Sequence, residues 1–341
     1  SNISESQVQA AAYFMRADFT GNDMSGFNFS GVDFTSTILS GTTLTGADLS
    51  GANLTGATLN NADLSDAILV GSNISAAQLR AAGTIMRADF TGNDMSGFNL
   101  SGVNFKDTIL TGVILTDTNL HGTTLSGSHI SAAQLQAAAS VVGTDLTGND
   151  LSGFDLSGVA LASTTLTNVD FSNANLSTAN FTLSNITASQ LESAANLTGI
   201  RLNGVDLTGG DLSHLVLTGA NLTGANLTNA DLTGANLNDA DLDFANLTGA
   251  HLNNATLTGA TLTSADLSGA TLTGSDITAG QLQAAASVTG IDVTGNDMSS
   301  FDLGSLDLTG ATLTDATLTS ANFSGATLSG ATLAGANISA A

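Results

Sequence analysis

The side chains able to do chemistry in this chain are its carboxylates, four histidines and many Ser and Thr hydroxyls. The triplet GND recurs at 21–23, 92–94, 148–150 and 295–297, so Asp23, Asp94, Asp150 and Asp297 share one context. Solvated, outward Asp accounts for these residues. His121, His129, His214 and His251 never pair at ligand spacing, so imidazole suggests no metal site. No Ser or Thr stands in a distinctive arrangement with His, Lys and Asp. There is no GxxxxGK phosphate cradle and no basic aromatic patch. The absence of Cys removes thiolate metal sites, thiol catalysis and disulfides. The expectation is therefore no catalytic, no cofactor-binding and no metal-ligating residue, no cofactor, and no enzyme.

Charge points the same way. Asp and Glu number 29 against 5 Lys and Arg, for a formal net charge of −24. Such a surface repels nucleic acid and anionic lipid and favours basic partners, cations or plain solubility. No apolar run approaches the roughly 20 residues of a membrane span, and no charged-then-apolar signal segment opens the sequence. The acidity favours exposure outside the cell over the cytoplasm. Arg16, Arg80, Arg87 and Arg201 are expected to pair locally with Asp. Phe244 falls at an outward position in DLDFANL, as a solitary exposed ring or a small contact patch.

These residues are positioned by a period of five. Leu217, Leu222, Leu227, Leu232, Leu237 and Leu242 continue in step to Leu272. A small residue stands two places before each Leu, a polar one stands between, and Ser or Thr and then commonly Gly follow. On an α-helix successive Leu would drift by about 140° and form no stripe. On a straight strand alternate Leu would face opposite sides. The chain must therefore turn once per repeat. A three-residue strand points Ala and Leu inward and Asp outward, and the next two residues make the corner. Stacked turns then bury a Leu column.

Stretches such as GANLTGANLTNADLTGANL resemble the pentapeptide-repeat family, whose signature is A(D/N)LXX. The resemblance covers nearly the whole chain. It implies an all-β fold, a right-handed quadrilateral β-helix with four pentapeptides per coil. GND also resembles calcium-binding nonapeptide repeats of pattern GGxGxDxLx, although the period here is five and the second Gly is missing.

The frame slips where Ile74 and Leu79 are followed by Ile85, a step of six. The same step separates Val8 from Phe14, Leu135 from Val141, Leu191 from Leu197 and Leu282 from Val288. Each slip lies in a segment like ISAAQLRAAG. Ser75 with Gln78 forms a capping box, as do Ser4 with Gln7, Ser131 with Gln134, Thr187 with Gln190 and Thr278 with Gln281. Ala-rich sequence follows. Leu135, Ala138, Ala139 and Val142 fall on one helical face, and Gly83 and Gly143 suit helix stops. Short helices are expected at about 4–12, 75–83, 131–141, 187–196 and 278–288. A one-residue bulge is the alternative. The anchors Ile3, Ile74, Ile130, Ile186 and Ile277 are 71, 56, 56 and 91 residues apart, so in a coil of about 20 residues the helices cannot all share one face.

This divides the chain into an N-terminal helix at 1–14, a β-helical block at 15–74, and four helix-plus-block units at 75–130, 131–186, 187–277 and 278–341. The sequence closes on NISAA, the phrase that stands at 73–77 just before Gln78 and Leu79, so it reads as a fragment of a longer array. After most helices comes GNDMSGFN or a variant. Here Asn22, Asn93, Asn149 and Asn296, with Phe27, Phe98, Phe154 and Phe301, take the small slots. The Phe are expected to fill core beside the helix, and the Asn to satisfy backbone groups at the junction. The fourth block departs, with Val205, Gly210 and Leu215.

Two functions fit. One is a non-catalytic structural or interaction scaffold, a rigid acidic repeat segment of a larger bacterial protein. Its partner would be an unknown protein, or it would self-associate through coil ends, without nucleic acid or membrane insertion and with calcium a lesser alternative. The other is a DNA mimic that binds DNA gyrase or topoisomerase, as some proteins of the resembled family do. Some 17 coils at about 4.8 Å would carry one net charge per roughly 3 Å, against one per about 1.7 Å in duplex DNA. Outward Thr pairs such as Thr256 and Thr258 fit an ice-binding face less well, since they do not recur every 20 residues.

Overall fold

The computed structural model describes residues 4–9, 11 and 13–339. It divides into two compact units, Ser1–Leu151 with Ala160–Asp170, and Ser152–Val159 with Phe171–Ala341. Both are built from one repeating coil.

In the first unit, parallel bridges join residues 20 apart, as in Asp18 to Ile38 to Thr58. Four five-residue sides therefore make one coil. Leu39, Leu44, Leu49 and Leu54 each supply the buried centre of one side. The Leu39 N–H donates to the Thr58 carbonyl at 2.8 Å, and the Thr58 N–H donates back to the Thr37 carbonyl at 2.9 Å. At each corner the chain bends into the next side through a four-residue turn, with Ala47 N–H on the Leu44 carbonyl at 3.0 Å and Gly46 at φ +67°. Positive φ at the third residue of such a turn favours Gly or Asn.

The expected three-residue strands are not what forms. Among the described residues each side contributes a single bridge residue and no continuous strand. Successive corners leave no room for a ladder along the chain, so pairing runs along the stack of coils.

Helices α1 (Glu5–Gln9), α2 (Ala76–Ala81) and α3 (Ala132–Ala137) belong to the first unit, and α4 (Ala188–Ser193) and α5 (Ala279–Ala284) to the second. Helix and slip are one feature. Leu79, Leu135, Leu191 and Leu282 remain buried centre residues, so each helix is itself one side of a coil. It uses six residues where five would serve, and the bridges passing it span 21, as in Asp63 to Thr84 and Asp266 to Ser287.

Four helices are shorter than the sequence suggests. Ala82, Ala138, Ala194 and Ala285 already have ψ of 146°, 141°, 150° and 148°. The neighbouring coil ends the helix: Asn61 N–H takes the Ala81 carbonyl and Gly83 N–H takes that of Ala62, both at 2.8 Å. Gly83 and Gly143 are not the stops. A Cβ on Gly83 would stand 3.0 Å from the Asn61 carbonyl oxygen, while Gly143, at φ +70°, forms the next corner. Ala138, Ala139 and Val142 lie beyond α3, and Val141 is the buried residue there. Positions 10 and 12 of the first expected helix lie outside the described residues.

The second unit contains the longest run without a helix. From Leu202 to Leu272 the Leu column is buried throughout, and Ala220 to Ala270 fill most small slots beside it. Bridges Arg201 to Asn221 to Asp241 to Thr261 mark one of its faces.

Candidate functional site

The outward polar residues are engaged in their own coil. Asp94 Oδ1 accepts the Ser96 backbone N–H at 2.9 Å and its hydroxyl at 2.6 Å. Asp23 does the same with Ser25, and Asp206 and Asn221 with Thr208 and Thr223. Two donors on one carboxylate oxygen stabilise its charged form. The Ser hydroxyl, then the backbone amide, holds Asp23, Asp94 and Asp297 below the ordinary carboxylate value. A Thr hydroxyl and amide act alike on Asp18, Asp33 and Asp206.

The repeated GND carboxylates are not gathered into one site. In the first unit Asp23 bridges Thr43, Asp94 bridges Ile114 and Asp150 bridges Asp170. Among the described residues no group of three or more His, Cys, Asp or Glu is arranged to hold a metal ion. The histidines are separate: His251 lies between Asp231 and Thr271, and His214 takes a corner at φ +59°.

The basic residues divide. Arg87 forms a bidentate pair with Asp66, Nε to Oδ1 at 2.6 Å and Nη2 to Oδ2 at 2.7 Å. Arg80 instead donates to the Asn99 carbonyl at 3.0 Å. Arg201 is exposed on the bridge column between Asn180 and Asn221.

The helix seams are the most differentiated places. In α2 the Gln78 amide oxygen accepts the Ser75 N–H at 2.8 Å, completing the capping box. Its Nε2 donates to the Leu54 and Ala57 carbonyls of the preceding coil, at 2.6 and 2.9 Å. Gln134 and Gln281 make the same pairs, to Leu110 with Val113 and to Leu257 with Ala260. One side chain thus caps the helix and fastens it to the solenoid. The capping box was legible in the sequence. The fastening was not, because its acceptors lie 21 and 24 residues away.

Asn93 and Asn296 close the junction with both amide atoms, and Asn149 with its nitrogen alone. Asn93 accepts the Gly71 N–H at 2.7 Å and donates to the Leu69 carbonyl at 3.0 Å. Asn296 repeats this with Gly274 and Leu272. Asn149 donates to the Leu125 and Leu146 carbonyls, both at 2.8 Å.

The Phe are a correction. Phe27, Phe98, Phe154 and Phe301 are half-buried, whereas the deep aromatics are centre residues such as Phe29, Phe34 and Phe90. Phe98 precedes Leu100, which stands one 21-residue coil beyond Leu79, and Phe301 has the same relation to Leu282. Phe98 and Phe301 therefore stand one coil beyond the centre residues of α2 and α5. Gly210 explains the departing block: a Cβ there would come 2.6 Å from the Ala188 Cβ of α4. At that seam α4 leaves no room for a side chain.

Beside α2 the following coil parts from the helix. Thr84 bridges Asp63, but the bridge column does not continue to Asn104. A groove of about 420 Å³ opens there, lined by Arg80, Gly83, Thr84, Gly102 and Asn104 among others. A second, of about 370 Å³, lies beside α4 and includes Thr187, Glu192, Asp206, Gly210 and Asp211. In the second, the Thr208 hydroxyl donates to Asp206 at 2.6 Å as part of a turn, and Glu192, Asp206 and Asp211 are all exposed.

The geometry defines a class of protein: a solenoid with a five-residue side, a 20-residue coil and an apolar column in place of an enclosed cleft. The chain belongs to the pentapeptide-repeat family. The family's "Pentapeptide repeats" model matches in eight copies, at residues 12–51, 47–82, 86–122, 139–177, 161–209, 195–234, 240–278 and 302–341. Comparison with curated proteins gives no match. Among solved structures it is similar to QnrB1, a plasmid-mediated fluoroquinolone resistance protein, at 20% identity over 62% of this chain and 86% of that one, with a TM-score of 0.25. HetL, involved in heterocyst differentiation regulation in Nostoc sp. strain PCC 7120, is 20% identical over 98% and 96% of the two chains, with a TM-score of 0.12. A pentapeptide repeat protein from the Arabidopsis thaliana thylakoid lumen is 32% identical over 34% of this chain and 67% of that one, at 0.15. At these TM-scores the likeness carries no functional argument.

Proposed function

We propose that this chain is a non-catalytic scaffold, an acidic repeat segment of a larger bacterial protein that displays or spaces other parts. One observation carries the reading: many outward carboxylates and amides bond the turns of their own coil, as Asp94 bonds Ser96, and others bond the coil alongside, as Asp276 bonds Thr258. A catalytic site instead needs groups converging on a reacting atom. Its modules are the helix-plus-block units, its coil takes the family's right hand, and the acidity suits display outside the cell.

A second reading, mimicry of DNA toward gyrase or topoisomerase, draws on stacked carboxylates such as Asp211 over Asp231. A phosphate strand would need long stacks. Among the described bridge columns no stack of Asp exceeds two, and His251 follows Asp231. A gyrase supercoiling assay separates the readings. The scaffold predicts no inhibition at micromolar protein, and inhibition there would establish the mimic in its place.

A further inference from the structure

Two bulky apolar residues in the second unit occupy backbone positions that disfavour them. Leu183 has φ +56° and Phe244 φ +59°, the left-handed region that bulky side chains rarely adopt. Burial does not compensate, since Leu183 is 66% and Phe244 65% exposed. Apart from Thr178 and His214, the other corners of this unit with positive φ carry Gly, Asn, Asp or Ser, which tolerate the conformation far better.

The two residues share one corner column. Leu183 N–H donates to the Asn203 carbonyl, Gly204 N–H to Thr223, Gly224 N–H to Asp243, and Phe244 N–H to Thr263. The column therefore runs Leu183, Gly204, Gly224, Phe244. Three coil spacings put the apolar residues roughly 14 Å apart. Leu183 leans toward Gly204, where a Cβ would meet its Cδ2 at 2.8 Å. The result is a shallow saddle, with an apolar knob at each end and two glycines between. Asp241 and Asp243 lie just before Phe244. One face further on, Asp206 stands with Glu192 and Asp211 around the α4 groove.

We infer that the Leu183–Phe244 saddle docks an extended, basic segment of another protein, with apolar side chains four residues apart. Alternate residues of a strand face one way at about 3.4 Å per residue, so positions i and i+4 span about 14 Å. Lys or Arg on that segment would meet the surrounding carboxylates. A second copy of this chain is a poor occupant, because it has 29 acidic and only 5 basic residues.

The inference rests on the scaffold reading. Its test uses the full chain and fluorescein-labelled Lys-Leu-Thr-Ser-Thr-Leu-Lys, titrated by fluorescence anisotropy to about 1 mM. One control peptide carries Glu for Lys and another Ser for Leu. Saturable binding is expected, weakened about ten-fold or more in either control and by Leu183→Gly or Phe244→Gly. The same two substitutions should raise Tm, because Gly relieves the corner. The saddle is overturned if the peptide does not bind, if both variants bind it as tightly as the parent, or if the variants melt lower and so reveal a structural role. Loss of the saddle would leave the scaffold reading intact, since the gyrase assay tests that separately.

Discussion

Single residues in this protein act mostly on backbone groups. Asn93 is the clearest case, a buried amide that gives the Gly71 N–H an acceptor and shares the Leu69 carbonyl with the Ser72 N–H. Asn93→Ala should cost about 1–3 kcal/mol, read as a fall in Tm by circular dichroism. An unchanged Tm would mean that water replaces the amide. Gly210 poses the converse test. Gly210→Ala should destabilise by about 1–3 kcal/mol, because the added methyl overpacks against Ala188. A neutral result would show that α4 can shift outward.

The helix is the element in which general and local physics give opposite answers. In an isolated capping box Glu serves as well as Gln at the third position. Here the Gln78 amide nitrogen also donates to two carbonyls at 2.6 and 2.9 Å. Gln78→Glu would keep the cap and set a carboxylate against those oxygens. A loss of about 2 kcal/mol or more is expected, measured by urea denaturation. A neutral effect would assign the side chain to capping alone. The six-residue helix is too short to persist by itself, so both its existence and its end are imposed by the coils on either side.

Charge and acid response belong to the whole molecule. With a net charge of −24, self-repulsion opposes compactness, so added salt should raise Tm at neutral pH. The hydrogen-bonded carboxylates decide the acid side. Asp18, Asp33, Asp94, Asp206 and Asp297 have folded values below the ordinary one. Their contribution is therefore complete above about pH 4 and is lost as pH falls through the lowered folded values. Tm should stay nearly level from pH 7 to about 5 and decline below about 4. A maximum at lower pH would show that relief of repulsion outweighs the loss of the turn hydrogen bonds.

The sequence by itself determined the five-residue side, the buried Leu column, the outward Asp, the existence of the helices and their place in the chain. All of these are written in local spacing, within a few residues of each other. It also marked Asn93 and Phe98 as junction residues, and correctly so for the Asn. Only the tertiary structure decided how deep Phe98 lies, where each helix ends, why Gly210 replaces a ring, what the far end of Gln78 holds, and that Leu183 and Phe244 share a corner. Each of these depends on a partner about 20 residues away, or on several coils counted through 21-residue seams. A repeat this regular offers many equivalent neighbours, and only the winding of the coils selects which one is met.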